Sequence, residues 1–138
     1  QHSPMHFHWY KMEDIINKAG GNILIRVYES DHNTDELLPD KPVTVYTDGR
    51  KYCVPGGTQI KLKPGESITI PPCLYHDFNV EPGTGPVLLG EVSMCNDDIN
   101  DNHFFEVLPR FSQIEEDEQP YRFLCNEYPR DYSVKYRL

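Results

Sequence analysis

An all-β domain is the fold class this sequence predicts, and three observations predict it. Twelve prolines and nine glycines punctuate 138 residues and leave room only for short elements. Between them lie stretches rich in β-branched and aromatic residues, such as residues 22–29 (NILIRVYE). Elsewhere apolar and polar residues alternate with a period of two, as where Ile60 and Leu62 stand against Gln59, Lys61 and Lys63. A chain of this length fits one domain, residues 1–138, and can bury a core without disulfide staples.

The elements follow in order. Residues 12–18 are compatible with a short helix ended by Gly20-Gly21, but a strand turning at those glycines into residues 22–29 is the preferred reading. Residues 30–42 are polar and irregular, a surface connection in which His32 is solvated. Residues 43–47 and 51–54 flank Asp48-Gly49-Arg50, a hairpin signal because Asp-Gly accepts the positive φ angles of a tight turn. Residues 58–63 and 66–71 are two further strands turning at Pro64-Gly65, and residues 72–75 bend the second of them into His76. Residues 87–93 (VLLGEVS) place Val87, Leu89, Glu91 and Ser93 on one face, where the carboxylate of Glu91 needs a partner. A polar loop, residues 94–103, leads to an apolar stretch at 104–111 containing Arg110. The acidic run at 115–118 reads as solvated surface and residues 121–125 as a last strand. Residues 126–138 form an aromatic and basic tail suited to docking on a neighbouring subunit.

Composition bounds the partners. A net charge of −9 and a pI near 5.0 argue against nucleic acid or an anionic membrane and favour a small ligand. No apolar run approaches the roughly 18 residues of a membrane span, and no basic-then-apolar leader opens the sequence, so a cytoplasmic location is expected. Cys53, Cys73, Cys95 and Cys125 form no CxxC pair and read as reduced, buried or partly buried thiols.

The chemistry-bearing stretch is the opening one. His6 and His8 point the same way on a strand, and a turn near Trp9-Tyr10 returns Lys11 and Glu13 to the same interior, one pleat apart. Two imidazoles and a carboxylate suit a divalent first-row metal and leave coordination positions open for water or substrate.

Short strands with HxH near one end and a lone histidine after a Gly-Pro turn resemble the cupin superfamily. Its first motif, G(x5)HxH(x3–4)E(x6)G, reads here as His6, His8, Glu13 and Gly20, with the leading glycine falling before the first residue. Its second, G(x5)PxG(x2)H(x3)N, reads as Gly65, Pro71, Cys73 and His76, with Cys73 in place of the motif glycine and Val80 in place of the asparagine. Within the superfamily the sequence is similar to the D-lyxose isomerase family, through PMHFHW (4–9), EDIIN (13–17), PGESI (64–68), LYH (74–76), GEVS (90–93), NDD (96–98), DNHF (101–104) and LCNEY (124–128). The resemblance implies a double-stranded β-helix, or jelly-roll barrel, with short terminal extensions and without the family's N-terminal region. It implies metal ligands His6, His8, Glu13 and His76 around a divalent ion, Mn²⁺ first, with Zn²⁺, Co²⁺ or Fe²⁺ also suited.

The implied reaction interconverts D-lyxose and D-xylulose, and D-mannose and D-fructose, through metal-assisted enediol proton transfer. Glu91 is the first candidate for the base and Lys11 the second, or Lys11 stays charged and polarises a sugar oxygen. Asp97, Asp98, Asp101 and Arg110 are candidates for binding sugar hydroxyls, and His103 is as readily structural as functional. The resemblance also implies a homodimer. A cupin iron oxygenase and a non-catalytic sugar-binding cupin are the competing readings; interior Lys11 and Glu91 favour proton handling.

Overall fold

The computed structural model describes residues 2–97, 99–106, 117–119 and 121–122. Contacts between Cα atoms divide the chain into two units, Gln1–Leu108 and Pro109–Leu138. Eleven strands make up the secondary structure of the described residues, with no helix among them. In order they are β1 His2–Phe7, β2 Glu13–Gly20, β3 Ile23–Ser30, β4 Leu37–Leu38, β5 Val43–Thr47, β6 Arg50–Val54, β7 Gln59–Leu62, β8 Ser67–Ile70, β9 Leu74–Val80, β10 Val87–Ser93 and β11 His103–Phe104.

These strands form two antiparallel sheets. One runs β11-β1-β9-β3-β4, with β7 also paired to β3, and the other runs β10-β2-β8-β5-β6. Alternation aims one face of each sheet at a shared core. Ile23, Ile25, Val27, Ile60, Leu62 and Leu74 come from the first sheet, and Ile15, Val43, Val45, Ile68 and Ile70 from the second, in one buried cluster. This is the all-β architecture that the alternation predicted, and it is consistent with a jelly-roll barrel. Buried Asn17 ties the layers together: its side-chain amide donates to the carbonyls of Gly21 (2.9 Å) and of Leu62 on β7 (3.0 Å).

The turns follow the local chemistry. Asp48 and Gly49 take φ of 47° and 74° between β5 and β6, as the Asp-Gly signal requires. Gly20 has φ of 95°, and a Cβ there would lie 2.1 Å from the carbonyl oxygen of Pro86, so no larger residue fits beneath the neighbouring strand. His32 is exposed on its polar connection, as expected.

Several expectations are corrected. Residues after Cys73 do not merely bend toward His76; they form the seven-residue strand β9. His76, Asp77 and Asn79 hide its character, because a strand buried on both faces need not alternate apolar with polar. Among the described cysteines, Cys53 and Cys95 are exposed thiols and Cys73 is partly buried. In the second unit, Tyr121 and Arg122 are exposed bends rather than the start of a strand, with the guanidinium 5.6 Å over the tyrosine ring. Residues 107–116 and 123–138, which include Arg110, Cys125 and the expected docking tail, lie outside the described residues, as does Asp98. No helix among the described residues is long and apolar enough to cross a membrane.

Candidate active site

The site is assembled where β1, β2 and β9 meet. β1 lies against β9 with His6 opposite His76, so two imidazoles face each other across one strand pair. His8 lies two residues beyond His6, just past the end of β1. The chain then turns at Trp9-Tyr10 and re-enters through Lys11 to Glu13, the first residue of β2. His8, Lys11, Glu13 and His76 are all buried, and His6 is partly so. The turn after an HxH strand, predicted from pleat parity, is what brings them together.

His6, His8 and His76 each offer a ligand atom within 4.8 Å of the others, a group that could hold a metal ion. Glu13 completes the cluster, with Oε1 2.9 Å from His76 Nε2 and Oε2 3.6 Å from His8 Nε2. The backbone decides how the rings are protonated. His6 Nδ1 lies 2.8 Å from the Pro4 carbonyl, His8 Nδ1 2.6 Å from that of Asp101, and His76 Nδ1 3.0 Å from that of Leu74. A carbonyl oxygen can only accept, so each Nδ1 carries the hydrogen and each neutral ring has its lone pair on Nε2. Lone pairs and a carboxylate then converge, and acceptors as close as His76 Nε2 and Glu13 Oε1 repel unless a proton or cation lies between them. The donor set fits a divalent ion, because its ligands are of the right type and backbone acceptors already orient them.

Electrostatics agree with that reading. Burial, followed by the neighbouring His76, pushes His6 down to about 4. His8 is also lowered, mainly by burial. Burial opposes the charge on Glu13, but positive charge at its two oxygens, from a proton on His76 Nε2 where one lies between that pair and then from the Lys11 ammonium, holds its carboxyl well below the usual range. Lys11 Nζ contacts Glu13 Oε2 at 2.7 Å and Glu91 Oε1 at 3.1 Å. Burial works against the ammonium, but these two carboxylates outweigh it and raise Lys11 above its ordinary value. The partner that Glu91 needed is therefore Lys11. Glu91 stands on β10 opposite Ile15 of β2, with its side chain 46% exposed, so its carboxylate reaches both solvent and the buried ammonium.

The remaining candidates fall elsewhere. Asp97 is exposed, and its carboxylate accepts from the amides of Ile99 (3.3 Å) and Asn100 (3.1 Å). Asp101 is buried, and both its carboxylate oxygens are engaged by backbone amides, of Tyr10 and Lys11, at 2.9 Å each. Asp98 and Arg110 lie outside the described residues. His103 stacks on Phe7, centroids 4.8 Å apart, in an aromatic group with Trp9 and Tyr75, where packing accounts for it. Phe104, for which the sequence analysis proposed no role, pairs with His6 across β1 and β11 and lies 5.5 Å from its ring.

Comparison with known proteins bears on this geometry. The chain is 51% identical over 128 residues to a D-lyxose/D-mannose isomerase of Escherichia coli O157:H7, covering 93% of this chain and 56% of that protein. It is also 51% identical over 130 residues to a D-lyxose/D-mannose isomerase of Serratia proteamaculans, covering 94% of this chain and again 56% of the relative. The chain thus spans about half the length of the curated relatives it matches. A family model described as D-lyxose isomerase matches residues 1–128. On that match and those identities, the chain belongs to the D-lyxose isomerase family.

Proposed function

We propose that the protein is a metal-dependent aldose-ketose isomerase that interconverts D-lyxose with D-xylulose and D-mannose with D-fructose. The observation that carries the reading is the convergence of three oriented imidazoles and Glu13 beside a buried ammonium paired to a half-exposed carboxylate. His6, His8, Glu13 and His76 would hold the ion, with Mn²⁺ the leading choice. Once bound, the ion would polarise the carbonyl and neighbouring hydroxyl oxygens of the sugar and acidify the C2 proton. Glu91, exposed enough to meet a ligand, removes that proton and returns it to C1. Lys11 keeps its proton at neutral pH and donates a hydrogen bond to a sugar oxygen, so the base and the donor are separate groups. The names of the relatives support the choice of sugars. A homodimer in the cytoplasm completes the proposal, and the free thiols of Cys53, Cys73 and Cys95 accord with a reducing compartment.

The deciding experiment measures metal content together with conversion of D-lyxose to D-xylulose, with and without chelator, in the purified protein. Bound divalent ion and conversion abolished both by chelator and by His76→Ala are expected. Conversion indifferent to chelator would remove the metal from the mechanism. Bound metal with no turnover on any of the four sugars would sink the isomerase. Oxygen uptake with bound iron would replace it by oxygenase chemistry.

A further inference from the structure

We infer that Asp101 is a positioning residue, which sets the orientation of His8 and Lys11 through the backbone. The inference rests on the reading of His8 as a metal ligand and Lys11 as a hydrogen-bond donor to substrate. Asp101 sits on the connection between β10 and β11, remote in sequence from the opening stretch, and is only 5% exposed. From there it engages three of four consecutive residues. Its carbonyl accepts from His8 Nδ1 at 2.6 Å, its Oδ1 accepts the amide of Tyr10 at 2.9 Å, and its Oδ2 accepts the amide of Lys11 at 2.9 Å. Its own amide donates to the Asp97 carbonyl at 2.9 Å, at the end of a turn in which the Asp97 carboxylate accepts from the amides of Ile99 and Asn100. That turn fixes where Asp101 stands.

The chemistry requires a carboxylate. Two amide hydrogens, that of Lys11 buried and that of Tyr10 partly so, point at the two ends of one side chain, and only a group with an acceptor at both ends satisfies both. An asparagine would present an NH2 to one of those amides, setting donor against donor, and an alanine would leave both unsatisfied. The carboxylate therefore fixes the turn at residues 8–11, while the carbonyl of the same residue holds the His8 hydrogen on Nδ1 and turns Nε2 toward His76 and Glu13. Loosening the side chain shifts the carbonyl with it, so one substitution disturbs both a ligand and the ammonium. With both oxygens already occupied, Asp101 is not arranged to grip a sugar hydroxyl.

The test titrates Mn²⁺ into metal-depleted wild type and Asp101→Asn by calorimetry, and records two-bond ¹H–¹⁵N spectra of the histidine rings in both metal-free proteins. Asp101→Asn is expected to bind Mn²⁺ about 10- to 100-fold more weakly. His8, a single Nδ1–H tautomer in the wild type, becomes a mixture in the variant. At saturating Mn²⁺, kcat falls while KM for D-lyxose stays within about twofold. If Asp101→Asn does not fold, Asp101→Glu, with both acceptors on a longer arm, is expected to show the same losses to a smaller degree. A variant that melts lower but keeps wild-type Mn²⁺ affinity and His8 tautomer would overturn the inference, leaving a merely structural residue. Raised KM with unchanged Mn²⁺ affinity would also overturn it, in favour of a sugar contact. Wild type that binds no Mn²⁺ would instead defeat the metal reading, with the His8 tautomer still reporting on Asp101.

Discussion

Lys11 and Glu91 touch each other, yet their surroundings suit them to the two different roles proposed for them. The Lys11 side chain is 8% exposed and its ammonium is held between two carboxylates, which keeps it charged, whereas the Glu91 side chain is 46% exposed and has room to turn toward a ligand. Glu91→Gln keeps the shape and removes the proposed base, so kcat for D-lyxose should fall by about 10²- to 10⁴-fold with Mn²⁺ affinity unchanged. Lys11→Met should lower kcat and weaken Mn²⁺ binding together, because it also strips Glu13 of a 2.7 Å partner. The pH profile separates the two roles further. A rate that needs protonated Lys11 persists through neutral pH and is lost only as pH rises past the raised Lys11 value, so the alkaline limb of kcat/KM should be absent in Lys11→Met. Steady-state kinetics over pH and calorimetric Mn²⁺ titration check both; wild-type turnover in Glu91→Gln would hand the proton transfer to another group.

Among the elements, the turn before β9 carries the most unusual residue. Cys73, where the resembling motif has glycine, takes φ of 61°, a left-handed conformation that costs an L-residue roughly 1–2 kcal/mol. Neighbours hold it there: its amide donates to the His8 carbonyl at 2.7 Å, and its carbonyl accepts from Ser30 Oγ at 2.6 Å. Cys73→Gly should therefore raise the free energy of unfolding by about 0.5–1 kcal/mol, once the looser unfolded chain is counted against the relieved strain. Cys73→Ala, with its Cβ retained, should show no gain, and urea denaturation of the two variants decides the matter. Local chemistry of this kind is what the sequence displays most openly. Asp48-Gly49 announced its hairpin, Ile60 and Leu62 their inward face, and His6, His8 and Glu13 their shared interior, because turns and pleats depend on adjacent residues. The role of Asp101 was hidden for the opposite reason. Its partners are backbone amides about ninety positions away, and nothing in a side chain's identity reveals which distant backbone will cross it.

At the scale of the whole molecule, the proposed ligands do not belong to one sheet. His6 on β1 and His76 on β9 come from the first sheet and His8 follows directly from β1, whereas Glu13 is the donor that β2 brings from the second. An ion held by all four would join the two layers at one end of their shared core, and its binding free energy would then appear as resistance to unfolding. Mn²⁺ at about one hundred times its dissociation constant should add about 2.7 kcal/mol to the unfolding free energy of metal-depleted protein. Chelator should take that increment away. Glu13→Gln separates a bridge between sheets from a site built on one sheet alone. If the histidines of the first sheet held the ion unaided, the variant would show the same increment at the same Mn²⁺ concentration. If Glu13 closes the bridge, the increment should shrink to a small fraction, in addition to whatever stability the metal-free variant loses when Lys11 gives up its buried partner. Denaturant titrations of both proteins, each with Mn²⁺ and with chelator, yield the two differences directly, and equal increments would rule out the bridge.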